Sequence, residues 1–135
     1  MNVARQDRAP VVVIVGPCAS GKSTLAAALR DRGLDTRIVA QEHSIVADLW
    51  RRQRPDVLIG LDVDLATLRA RRAPTWPASV YASQQERLAP AFAAADLVVD
   101  TTPLDAEAVV GIVLAWLQER GFAPDADAGA SVSSG

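Results

Sequence analysis

The chain has 135 residues, 50% hydrophobic and 22% charged, with 14 basic against 16 acidic residues and a formal net charge of -2. That is the length and balance of one globular domain with a real core and no room for a second. Arginines are scattered or confined to pairs such as Arg51-Arg52 and Arg71-Arg72, so no basic face for nucleic acid is expected. The apolar runs are too short to cross a bilayer and the first residues lack a signal-peptide layout, which makes a cytoplasmic protein without membrane contact the expectation. Cys18 stands alone, which gives no sign of a disulfide framework or a metal cluster and reads as a small space-filling side chain.

Taken in order, residues 1–9 are polar and predict a flexible arm, with Pro10 leading into the buried strand 11–15. A glycine-bearing loop at 16–23 follows, and a helix is expected over 22–32, closed by Gly33. A strand is predicted at 36–40. Residues 44–52 are expected to form a helix whose buried stripe is Ile45, Val46, Leu49 and Trp50, ended by Pro55. The run at 56–61 is the next buried strand, and Asp64 is a candidate N-cap for a helix at 65–72. Pro74 and Pro77 flank Trp76 in an irregular loop. A further helix is predicted over 80–94, bent or interrupted at Pro90. The chain then gives a short strand at 97–99, a turn at Thr102-Pro103 and a helix over 106–120, capped by Asp105, closed by Gly121 and striped with Val109, Val110, Val113, Trp116 and Leu117. Residues 123–135 read as a disordered tail. Alternating strands and helices on short connections predict an α/β domain at 10–122, with helices on both faces of a parallel sheet of about four strands.

The loop carries the sharpest chemistry. Gly16, Pro17, Cys18, Ala19, Ser20, Gly21, Lys22 and Ser23 spell G-x-x-x-x-G-K-S between a buried strand and a helix, the setting in which backbone N–H groups cradle a polyphosphate. Gly16 and Gly21 allow the turn and the close approach, Lys22 reaches the outer phosphates, and the Ser23 hydroxyl suits a magnesium ion. In parallel α/β sheets ligands lie beyond the carboxyl ends of the strands. There Glu42 is a candidate for holding a magnesium-bound water or serving as a base, and His43 for a polar substrate. Asp62, after an apolar strand, competes with Glu42 for magnesium. Arg69, Arg71 and Arg72 suit a cover over phosphates, which Gln84, Gln85 and Arg87 are placed to complete, and residues 100–103 end the last strand.

This ordering resembles the small P-loop kinases of the adenylate, shikimate and gluconate kinase group over nearly all of 11–120. The segments that carry the likeness are GPCASGKS, LDVDLATLRARR, SQQERLAP and ADLVVDTTPLDAEAVV. The resemblance implies a three-layer P-loop NTPase fold, ATP and Mg2+ held by Gly16 to Thr24, phosphate contact by Lys22 and an adenine-stacking Arg71. It also favours Glu42 over Asp62 as the acid that orients magnesium, because the LDVD strand is similar to the one leading into those kinases' lid. This chain is shorter than that group between its first helix and that strand, and in the lid. Two functions follow as expectations. One is a kinase moving the ATP γ-phosphoryl group to an unidentified small acceptor; the other is a slowly hydrolysing nucleotide-binding module that acts as a switch for a protein partner.

Overall fold

Five consecutive apolar β-branched residues at Val11–Val15 can sit in a strand only where both faces are covered, and in the computed structural model, which describes residues 10–122, strand β1 is wholly buried. Successive side chains leave a strand on opposite faces. Val12 and Ile14 therefore join one core with Leu25, Leu29, Ile59, Val113 and Leu117, while Val11, Val13 and Val15 join another with Trp50, Leu58, Leu88 and Ala91. Around β1 the elements run in order α1 (Lys22–Asp31), β2 (Asp35–Ile38), two 3₁₀ turns (Gln41–His43 and Leu49–Gln53), β3 (Val57–Asp62), α2 (Leu65–Arg71), α3 (Ala78–Ala94), β4 (Leu97–Asp100) and α4 (Ala106–Glu119).

The four strands are all parallel and ordered β2-β1-β3-β4, with Val12 paired to both Thr36 and Val57 and Asp62 paired to Asp100. Helices α1 and α4 cover one face; α3 and the second 3₁₀ turn cover the other. The domain is thus α/β in three layers. The caps fall where expected: Asp64 accepts from Thr67 N–H at 2.7 Å and Asp105 from Ala108 N–H at 2.8 Å. Helix α1 closes with Gly33 N–H to Arg30 C=O and Leu34 N–H to Leu29 C=O, a Schellman pair. The expected arm at 1–9 and tail at 123–135 lie outside the described residues. None of the described helices is long and apolar enough to cross a membrane.

Two expectations are overturned. Residues 44–52 do not form an α-helix: only their end coils, in the 3₁₀ turn Leu49–Gln53, and Ile45, assigned to the buried stripe, is 89% exposed. The cause is Gln41, fully buried, whose amide donates to Val46 C=O at 2.6 Å and accepts from Trp50 N–H at 3.1 Å, while Ser44 Oγ accepts from Val46 N–H. Those contacts occupy backbone groups that an α-helix would use for itself. Only Trp50 of the four reaches full burial. The second correction concerns Pro90, where the expected interruption does not occur: α3 continues through it as one helix. Pro90 sits on an exposed face while Leu88 and Ala91 are buried, so the backbone carbonyl it deprives of a partner is left to water and core packing holds the helix on.

Candidate functional site

The loop between β1 and α1 curls on the carboxyl end of the sheet. A Cβ built on Gly16 would lie 2.4 Å from the backbone oxygen of Leu61 and 2.7 Å from Ser20 Oγ, so the loop abuts the end of β3 too closely for any side chain there. Gly21, the residue before α1, has φ of +96°, the left-handed turn that aims the first helical N–H groups back over the loop. Ala19 also takes a positive φ, 63°, which is uncommon for a residue with a Cβ. The N–H of Cys18 donates to the Gln84 side chain at 3.2 Å, fastening the loop to α3.

Lys22, the sole lysine of the chain, folds back over the loop. Its ammonium donates to the backbone oxygens of Gly16 and Pro17, and to Glu42 Oε2 at 2.8 Å. The two side chains are only 13% and 6% exposed. Glu42 comes from the 3₁₀ turn after β2, a turn packed against α3 and held by Arg87, whose guanidinium donates to the Glu42 backbone oxygen at 3.3 Å. Glu42 Oε1 is buried and accepts no hydrogen bond among the described residues, and the buried Ser20 hydroxyl is likewise unpartnered. His43 is largely exposed, its Nε2 3.7 Å from Glu42 Oε2. Ser23 and Thr24 lie exposed in the first turn of α1.

Asp62 is placed differently. Its Oδ1 accepts from Val63 N–H at 2.9 Å and Gln85 at 3.0 Å, and it shares with Asp64, Asp100 and Tyr81 a hollow of about 320 Å³ that none of the loop residues lines. Burial first, and then the charges of Asp62, Asp64 and Asp100, push the Tyr81 phenol above its ordinary value; its hydroxyl donates to Val63 C=O at 2.7 Å. The hydrogen bonds from Thr67 hold the exposed Asp64 carboxyl below the usual carboxylate range. Of the two competing acids, Glu42 is the one in contact with Lys22.

A cavity of about 390 Å³ opens beside the loop between Ala19, Gly21, Thr24, Arg71, Thr101 and Leu104. Arg71 forms its wall because its guanidinium donates to the backbone oxygens of Ala19 at 2.9 Å, Thr101 at 2.8 Å and Leu104 at 3.2 Å. The sequence places this arginine in a cover; the structure ties it down between the loop and the end of β4. Arg69 instead supports the proline-rich loop by donating to Trp76 C=O. A second hollow, about 360 Å³, lies past Glu42 between Ser44, Ile45, Ser83, Glu86, Arg87 and Pro90.

Two contributors escape sequence reasoning in their actual roles. Gln84 is expected over phosphates but is buried against the loop; the signal for this is its spacing with Leu88 and Ala91 along the apolar face of α3. Gln41 has no local signal, since its partners are made by the fold of 46–50. Neither protein-family models nor curated proteins give a match to this chain.

Proposed function

We propose that the protein binds ATP with Mg2+ through the loop at 16–24 and acts as a small kinase of the P-loop NTPase type, moving the γ-phosphoryl group to a small hydroxyl-bearing acceptor. One observation carries this reading: Lys22, folded over the loop, shares its ammonium between loop carbonyls and the buried Glu42, whose second oxygen accepts nothing. A lysine and an acid buried together at the mouth of a left-handed glycine turn supply the positive and negative halves of a phosphoryl-transfer site. The oxygen donors Ser23 and Glu42 suit a hard cation. Bound magnesium would neutralise charge on the phosphate oxygens.

The chain's own residues have distinct tasks in this scheme. Gly21 and the first turn of α1 direct N–H groups at the phosphates, and Lys22 exchanges its carbonyl partners for phosphate oxygens. Arg71 and Thr24 bound the cavity in which the adenosine end would rest. Glu42 orients the acceptor hydroxyl and takes its proton, and the hollow at Ser44, Ser83 and Arg87 has the size and polarity for that acceptor. In the β2-β1-β3-β4 order β2 is an edge of the sheet among the described residues, in keeping with the shortened acceptor region.

The test is calorimetry with Mg-ATP followed by product analysis against a panel of small hydroxylated metabolites. Binding with acceptor-dependent ADP release, lost in Lys22→Ala and Glu42→Gln, supports the kinase. Binding with slow, acceptor-independent hydrolysis favours the alternative, a nucleotide switch for a protein partner. Absence of any Mg-nucleotide binding refutes both.

A further inference from the structure

The thiol of Cys18, the carboxylate of Glu42 and the imidazole of His43 converge at the mouth of the loop, with one ligand atom from each within 4.8 Å of the other two. Cys18 follows β1 while Glu42 and His43 follow β2, so the cluster joins the ends of two neighbouring strands. Glu42 itself is 4% exposed, and its Oε1 has no hydrogen-bond partner among the described residues. A carboxylate oxygen withdrawn from water is costly unless a donor or a cation answers it. We propose that these three side chains form a binding site for a divalent transition metal ion of the zinc type, with Cys18 Sγ, a carboxylate oxygen of Glu42 and an imidazole nitrogen of His43 as ligands and a fourth position open.

The donor set decides the class of ion. Magnesium and calcium take oxygen ligands, whereas a thiolate beside an imidazole and one carboxylate suits zinc or cobalt. Charge is compatible: a thiolate and a carboxylate would meet the dication beside the ammonium of Lys22, while the Arg87 guanidinium is engaged by the Glu42 backbone oxygen rather than its carboxylate. Outer contacts are in place as well. Gln84 Nε2 approaches Cys18 Sγ at 3.5 Å, and Lys22 holds Glu42 Oε2 at 2.8 Å, which fixes both anionic ligands from behind. Tetrahedral zinc separates its ligand atoms by about 3.3–3.8 Å, so the cluster must contract by roughly 1 Å at its widest pair. The 58% exposed His43 side chain has the freedom to supply that movement. The lone cysteine gave no sign of a metal cluster in sequence because its companions arrive from another strand. Glu42 is shared with the proposed phosphoryl-transfer site, yet the metal site stands on its own three residues and on no nucleotide.

The reduced full chain, free of any polyhistidine tag, tests this with metal alone. Cobalt(II) titration should give a near-ultraviolet thiolate-to-metal charge-transfer band that saturates at one ion per chain and is bleached by zinc. Cys18→Ser should abolish the band, and His43→Ala, a surface change that leaves the fold intact by circular dichroism, should weaken zinc binding in calorimetry at least tenfold. No thiolate band in the unaltered chain, or zinc affinity within threefold of the unaltered value in His43→Ala, overturns the proposal.

Discussion

Replacing Lys22 with methionine and Glu42 with glutamine, singly and together, measures how firmly the loop is tied to the end of β2. The two charges meet at 2.8 Å with side chains 13% and 6% exposed, which at an effective dielectric of about 20 bounds their Coulomb attraction near 6 kcal/mol. Desolvation offsets most of that, leaving an expected coupling of about 1–3 kcal/mol. The single variants should be unequal. Lys22→Met strands a buried carboxylate whose other oxygen already lacks a partner, at about 3–5 kcal/mol, a large share of the ~5–15 kcal/mol of a domain this size. Glu42→Gln keeps the shape and leaves Lys22 its two backbone carbonyls, so the loss should be about 1–2 kcal/mol. Urea unfolding at neutral pH, followed by tryptophan fluorescence and repeated at low and high salt, provides the numbers; the coupling should change little with salt because the pair is shielded from solvent. Equal losses in the two single variants with coupling below about 0.5 kcal/mol would refute the buried pair.

Other consequences are as open to measurement. Gly16→Ala drives a methyl against the fixed Leu61 carbonyl and should cost about 2–3 kcal/mol in urea unfolding and weaken Mg-ATP binding in calorimetry; an unchanged midpoint would contradict the close contact. Gly111→Ala fills an exposed position inside α4 where nothing lies within 4 Å, so stability should rise by about 0.5–1 kcal/mol and the thermal midpoint by about 2–5 °C, and a fall would count against a regular helix there. Tyr81→Phe removes the hydrogen bond to Val63 and should cost about 1 kcal/mol near neutral pH. Because the folded phenol titrates above 10.0, its contribution is complete below that pH and is lost as pH rises through the folded value. The phenylalanine variant should therefore lose stability less steeply above pH 10, and identical slopes in the two proteins would count against the raised phenol.

What could be read from sequence divides along a physical line. The apolar run at Val11–Val15, the caps at Asp64 and Asp105 and the glycine after α1 are local signals, and each of those elements forms as expected. Residues 44–52 carry a helical spacing of apolar residues, but a buried glutamine just before them holds their backbone in another path. Arg71 reads in sequence as part of a cover, and its role as a fixed brace emerges only when the carbonyls of Ala19, Thr101 and Leu104 are brought around it. The contact between Lys22 and Glu42 joins side chains from different strand ends, so no spacing along the chain announces it. Elements were legible because period and caps are written within a few residues, and side-chain pairings were not because they depend on how strands are laid side by side.

The strand order has a dynamic corollary. Strand β1, which leads into the glycine loop, is hydrogen-bonded on both sides, whereas β2, which leads to Glu42, spans four residues and pairs with β1 alone among the described residues. Boundary strands exchange their amide hydrogens through smaller openings than interior ones. A fluctuation that frees β2 would withdraw Glu42 and leave the glycine loop intact, so the two flanks of Lys22 should show separate exchange clocks, with the slower one in the loop strand.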